Sequence, residues 1–293
     1  MWDMEPRKVL VAVDSVDCEA ALQYAVAEAR RRGCGIHLVH VARPALGHFC
    51  ALDDVCLVEG ELRLAGQVEL EAAAARSQAL IDEQAPDDDR LSVSTELKHG
   101  SVVTALQSMS RHAAMLVMEH HGMGPGGETA TLSVTAGVAA VAHCPVVAVP
   151  DGWRVGAWAD GSVVVGVEDL ERDTLVLQAA LHEAARRHAR LRVIRAPVLD
   201  ARQPADVLDL QDSDVPVDVV VEAGSADQVL LRHAENADLL VAGRHHRRHL
   251  VGAPLGRTVR ALLRDSLVPV LVVDPVLGDR SVTAAGAATS GRG

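Results

Sequence analysis

The sequence predicts an α/β protein of two tandem units, each an open, mostly parallel five-stranded sheet between helices. Three observations point there. Short runs rich in Val and Leu alternate with Ala-rich stretches of helical length, as when strands buried on both faces are joined by helical crossovers. The chain is also written twice. "HGSVVTALQSMSRHAAMLVMEHHG" (99–122) lies without gaps over "AGSADQVLLRHAENADLLVAGRHH" (223–246), and "CPVVAVP" (144–150) over "VPVLVVD" (268–274), so that Gly100 falls on Gly224, Ser101 on Ser225 and Pro145 on Pro269. Finally, with one Phe and one Tyr in 293 residues, 49% of them hydrophobic, the core has to be built from Val, Leu and Ala, which suits strands under Ala-rich helices.

In order, Val9–Val13 reads as a buried parallel strand, Glu19–Arg32 as a helix with its charges late, and Ile36–Val41 as a second strand. Leu62–Gln84 is a long helix, unless a turn breaks it at Gly66, and Leu91–Leu97 is the third strand. Val102–His112 is helical, Met115–Met118 a strand, Val134–Ala142 a helix and Val146–Val149 the closing strand. The second unit repeats this with Val163–Val167, Leu175–His188, Leu191–Arg195, Val217–Val221, Gln228–Glu235, Leu239–Ala242, Thr258–Leu263 and Val270–Val273. Its segment 197–216 is too short and too rich in Pro and Asp for a full second helix. The expected divisions are 1–150, a linker at 151–161, 162–275, and a disordered tail at 276–293 that lacks a periodic apolar pattern.

A formal net charge of −12 argues against sequence-blind nucleic-acid binding, which depends on neutralising phosphates. No apolar run reaches the ~18 residues of a membrane span, and the start has no apolar core of a signal peptide. A cytoplasmic protein with no membrane partner is expected. Five cysteines without a CxxC pair fit a reducing compartment; most read as small buried hydrophobes, with Cys50 and Cys56 in a loop region.

Ligands of such sheets bind beyond the carboxyl ends of the strands. Three loops meet there in each unit: one carrying Asp14 or Glu168, one at His40–Pro44 or Arg195–Pro197, and one at Glu119–Ser133 or Gly243–Arg257. In the last of these, Gly243 ends a strand, Gly256 sits just before a helix, and Arg257 adds a cation beside the unpaired N–H groups of that helix start, a natural anion site. The stretch "GRHHRRH" (243–249) offers three histidines, yet no Cys, Asp or Glu lies between 243 and 257 to complete a zinc set, and Arg244, Arg247 and Arg248 would repel a cation. No metal is expected there; a solvated basic loop and a phosphate contact both stay open. His120 and His121 read as loop polars following a strand. Ser101, Ser225 and Ser133 read as helix caps, with phosphate contact the second reading of Ser133; Asp14 and Glu168 either cap the next turn or face a ligand. Neither GxSxG, GxxxxGK[ST] nor a strand-following GxGxxG is present, so no catalytic residue is assigned.

These marks (a first strand with a terminal acid, the Gly-Ser turn, "ADLLVAG", and the closing "HCPVVAVP" and "LVPVLVVD") resemble the universal stress protein family in its tandem form. The resemblance implies a Rossmann-like, adenine nucleotide alpha hydrolase-like fold. It also implies an ATP-phosphate loop of the form Gly, two residues, Gly, nine residues, Gly, then Ser or Thr. The spacing survives here while the residues differ: Glu119, Gly122, Leu132 and Ser133 in the first unit, and Gly243, His246, Gly256 and Arg257 in the second. Asp14 and Glu168 take the place of the family acid near adenine and ribose, and Val41 that of the second-strand residue framing adenine. ATP or a related adenine nucleotide is the cofactor implied.

The reading is therefore a stress-associated regulatory or binding protein with degenerate nucleotide loops, non-enzymatic or weakly ATP-hydrolysing. A nucleotide-free interaction module and a nucleotide-dependent enzyme of related fold are the alternatives. The closing strands, apolar and next to sheet edges, invite pairing. The family pairs this strand between subunits, so the two units are expected to face each other through it about an internal pseudo-two-fold, with a homodimer of whole chains and an unidentified protein partner left open.

Overall fold

The structure, a computed structural model, describes residues 7–14, 18–42, 52–84, 88, 90–120, 129–156, 160–168, 173–196, 214–244 and 255–275, with side chains except at 52–59 and 129–133. The tail at 276–293 and residues 197–213 of the Pro/Asp-rich segment lie outside the described residues. The first half runs β1 (Val9–Val13), α1 (Glu19–Arg32), β2 (Ile36–Ala42), α2 (Leu52–Gln84), β3 (Val93–His99), α3 (Val102–Met109), β4 (Met115–His120), α4 (Thr129–Val141) and β5 (Val146–Pro150). The second runs β6 (Ser162–Gly166), α5 (Thr174–Arg187), β7 (Arg190–Arg195), β8 (Val217–Val221), α6 (Ala226–Ala234), β9 (Leu239–Gly243), α7 (Arg257–Asp265) and β10 (Val270–Val273).

The expected pair of separate five-stranded sheets is one sheet of ten strands, ordered β3-β2-β1-β4-β5-β10-β9-β6-β7-β8. Pairing is parallel within each half and antiparallel where β5 meets β10, with Ala148 opposite Val270, Val147 opposite Leu271 and Val146 opposite Val272. The two would-be edges thus satisfy each other's backbone groups, and their side chains are buried throughout.

Alternation along the strands builds two cores. Val9, Val11 and Val13 point to the side of α1, α2 and α5, while Leu10 points to the side of α3, α4, α6 and α7. Helix α1 has Glu19 in its first turn and Arg30, Arg31 and Arg32 in its last, complementing the helix dipole. It stops at Gly33, whose φ of 61° lets its N–H turn back to the carbonyls of Ala29 and Arg30. Helix α5 ends in the same left-handed turn on His188, at φ 51°.

Helix α2 differs from its expected form. It begins ten residues before Leu62, which places Cys56 in a helix rather than a loop, and it runs unbroken through Gly66. That glycine lies where the helix crosses β2: a Cβ there would come within 2.6 Å of His40 Cδ2. His40 has little freedom to yield, since its Nδ1 is 3.0 Å from the Val13 carbonyl and 3.0 Å from Glu69.

The halves are also joined by charge. Glu28 and Arg32 of α1 meet Glu183 and Arg187 of α5, and each carboxylate contacts both guanidiniums. Arg32 Nε lies 2.9 Å and Arg187 Nη2 2.7 Å from Glu28, and Glu183 pairs with both Arg32 and Arg187. All four side chains are at least 94% buried. Arg187 Nη2 also donates to Tyr24 Oη at 3.0 Å, and the Tyr24 ring packs edge-on against Trp153 with centroids 5.4 Å apart. Burial alone would raise the Glu28 pKa, but Arg187, Arg32 and Arg31 overrule it and hold the carboxyl at about 2. On the other sheet face Arg244, read from the sequence as part of a basic loop either solvated or in contact with phosphate, is buried: Nη1 donates to the Ala139 and Ala142 carbonyls at 3.2 and 3.1 Å at the end of α4, and Nη2 pairs with Asp274. A cation at the negative end of α4 explains this placement.

Three outcomes are expected from urea denaturation. Arg187→Met, leaving two buried carboxylates short of a partner, costs about 3–5 kcal/mol, whereas replacing all four charges with Leu and Met recovers most of that loss. Because the folded pKa of Glu28 lies below its ordinary 4.5, its contribution is complete above that pH and is lost as pH falls from about 4.5 toward 2; Glu28→Gln flattens that part of the pH–stability curve. In α2, Gly60→Ala meets open space and stabilises by about 0.5–1 kcal/mol, while Gly66→Ala strikes His40 and destabilises by about 1–3 kcal/mol.

Candidate functional site

Each half has one topological switch point, between β1 and β4 in the first and between β6 and β9 in the second. The strands' carboxyl ends and the starts of the following helices converge there, and most of the sequence-predicted residues fall in this region.

In the first half Asp14 directly follows β1 and is exposed. Val41, the last residue but one of β2, is 9% exposed and packs into the core on the α3–α4 side. The Glu119 carboxylate reaches α1 and accepts the Ala21 N–H at 2.9 Å. The N-cap of α1 is Cys18, which makes no side-chain cap hydrogen bond, so a strand supplies the acceptor that the cap residue does not. Burial, with Glu119 adding to it, pushes the Cys18 thiol up to about 12, against the usual lowering at a helix start. His120, expected in a loop, is the last residue of β4 and is 1% exposed. Ser133 was expected at a helix start, but α4 begins at Thr129 and carries Ser133 and Leu132 inside it. Thr–Ala–Thr extends the Ala-rich pattern backward with no proline or glycine to stop it. Gly122 lies outside the described residues.

In the second half Glu168 follows the β6 strand and is exposed, and its N–H donates to Asp173 Oδ2 at 2.8 Å. Gly243 ends β9 and is buried; a Cβ there would lie 2.9 Å from Val176 Cγ2. Packing therefore requires a glycine at this position whether or not a ligand binds. Gly256 is the N-cap of α7, without a side-chain cap hydrogen bond, and exposed Arg257 is the first helical residue. His246, His245 and His249 lie outside the described residues. Of the other proposed caps, Ser101 Oγ accepts the Thr104 N–H at 3.5 Å, while Ser225 makes no cap bond and pairs with Asp227.

Two features escaped the sequence reading. One is Asp173, the N-cap of α5, 3% exposed, which stands in line with Cys18. The other is the four-charge cluster, although aligning the helices pairs Glu28 with Glu183 and Arg32 with Arg187, which was signal enough. Among the described residues no group of three or more His, Cys, Asp or Glu could hold a metal ion, and no helix is long and apolar enough to cross a membrane. A groove of about 440 Å³ lined by Leu231, Arg232, Asp265 and Leu267 sits at the opposite ends of α6 and α7 from the switch points.

The model of the Universal stress protein family matches residues 5–150 and 198–274. A universal stress protein of Mycobacterium tuberculosis is 27% identical over 303 residues, covering 92% of this chain and 98% of its own. A counterpart from Mycolicibacterium smegmatis is 25% identical over 293 residues, covering 91% and 97%. Among solved structures, a universal stress protein from Archaeoglobus fulgidus superposes with a TM-score of 0.71 at 19% identity over 91% of this chain and 98% of that one. The family model spans both halves, and each half builds the same strand-end crevice: the chain belongs to the universal stress protein family, in its tandem form.

Proposed function

We propose that this protein is a stress-associated regulator that acts by being occupied, without turnover or with weak ATP hydrolysis at most, and that its second half holds the better adenine-nucleotide site. One observation carries this reading. Helix α7 starts at the crevice with Gly256 as N-cap, no side-chain cap hydrogen bond, no acid in its first turn, and Arg257 exposed beside it. The N–H groups of a helix start, a helix dipole and a guanidinium at one point suit a phosphate. Glu168, Gly243 and His246 would line the rest. In the first half Asp14, Val41, Gly122 and Ser133 hold the corresponding positions, but the Glu119 carboxylate beside them does not fit an anionic group. The units we assign are 1–150 and 162–275, joined by 151–161.

A second reading, a nucleotide-free interaction module, draws on Gly243: its family glycine is already explained by Val176. Mild purification followed by acid release of bound nucleotide, with calorimetric titration of ATP into the emptied chain, separates the two. Near-stoichiometric adenine nucleotide is expected. Arg257→Ala should weaken ATP by roughly 10- to 100-fold, the worth of a charge-assisted hydrogen bond. No release and no heat at millimolar ATP would leave the interaction module standing, and a product formed over many turnovers would make the chain an enzyme.

A further inference from the structure

The two switch points differ by a matched exchange of three residues. In the first half the α1 N-cap is Cys18, the third helical residue is Ala21, and the β4 residue beside it is Glu119, bonded to the Ala21 N–H. In the second half the same places hold Asp173, Val176 and Gly243. Strand register fixes the alignment, since Ala12 pairs with Met118 and Gly166 with Ala242. Beside the exposed strand-end acid, Asp14 or Glu168, each crevice thus carries one inner carboxylate at the helix start, delivered by β4 in the first half and by the helix cap in the second. The exchange has to be concerted: Val176 leaves no room for a side chain at 243, while an alanine at 21 makes that room at 119. An acid at both 18 and 119 would also set like charges side by side.

We infer that the placement of this internal carboxylate decides which crevice admits an anionic ligand: Glu119 closes the first half, and the second stays open because its acid has moved to Asp173. Glu119 stands on the strand at the switch point itself, where its negative charge repels a phosphate at short range. Asp173 is buried and tied to the Glu168 N–H, and β9 reaches the crevice as glycine backbone. The ligand part of this inference rests on the nucleotide reading of the second half; the exchange itself does not.

The test is a double-mutant cycle in the full chain with Cys18→Asp and Glu119→Gly. Each single variant is expected to lower the urea midpoint, the first by doubling the charge and the second by removing the acceptor at Ala21. The double variant should recover at least half of the summed loss, and strictly additive losses would overturn the exchange. Calorimetry with inorganic triphosphate then tests selectivity. One equivalent per wild-type chain, weakened roughly 10- to 100-fold by Arg257→Ala, and a second equivalent in the Cys18→Asp, Glu119→Gly chain are expected. Binding undiminished by Arg257→Ala while Glu119 is intact, or a recovered double variant that still takes only one equivalent, overturns the selectivity claim. A wild-type chain that binds no triphosphate refutes the nucleotide reading and the selectivity claim with it, and the stability cycle still decides the exchange.

Discussion

The antiparallel contact between β5 and β10 is the constraint from which the rest of the molecule follows. Each half, alone, ends its sheet in a strand whose residues are apolar and whose outer N–H and C=O groups have no partner, an arrangement that favours association. Joining the two strands turns ten strands into one sheet and fixes an approximate two-fold relation between the halves. That relation brings α1 against α5 on one face and α4 against α7 on the other. The four-charge cluster and the Arg244 contact to α4 occupy these two seams. Charges so deeply buried are weak sources of net stability. They tie α1 to α5 across the seam, with each carboxylate held between two guanidiniums.

Much of the fold was legible because it depends on pattern. The element order follows from apolar period and from the repeat, and β8, β10 and α1 coincide with the expected ranges. What was not legible depends on partners far away in sequence. Arg31 and Arg32 look like a solvated helix end until α5 is placed across from them. Arg244 begins a stretch so basic that a wet loop is the natural expectation, and only the nearby end of α4 makes its burial favourable. Gly66 could equally have marked a break in α2; its neighbour His40 shows that it marks a close crossing.

The crevice residues were predicted from spacing, and spacing proved a partial guide. Gly256 and Arg257 sit at a helix start as expected. Gly243 is already required by the packing of Val176, so its presence alone does not mark a ligand site. Glu119 has a structural partner that a one-dimensional reading could not supply. A motif position thus has a chemical meaning only when its neighbours from other elements are known.

The fusion of the two halves into one chain has an evolutionary consequence. In a pair built from two identical chains, every substitution in a crevice appears twice, and a change that serves one copy is imposed on the other. Here Glu119 and Gly243, or Cys18 and Asp173, are separate codons in one gene. The shared interface can keep its self-complementary charges while the two crevices drift independently, so that a symmetric scaffold carries two unlike sites.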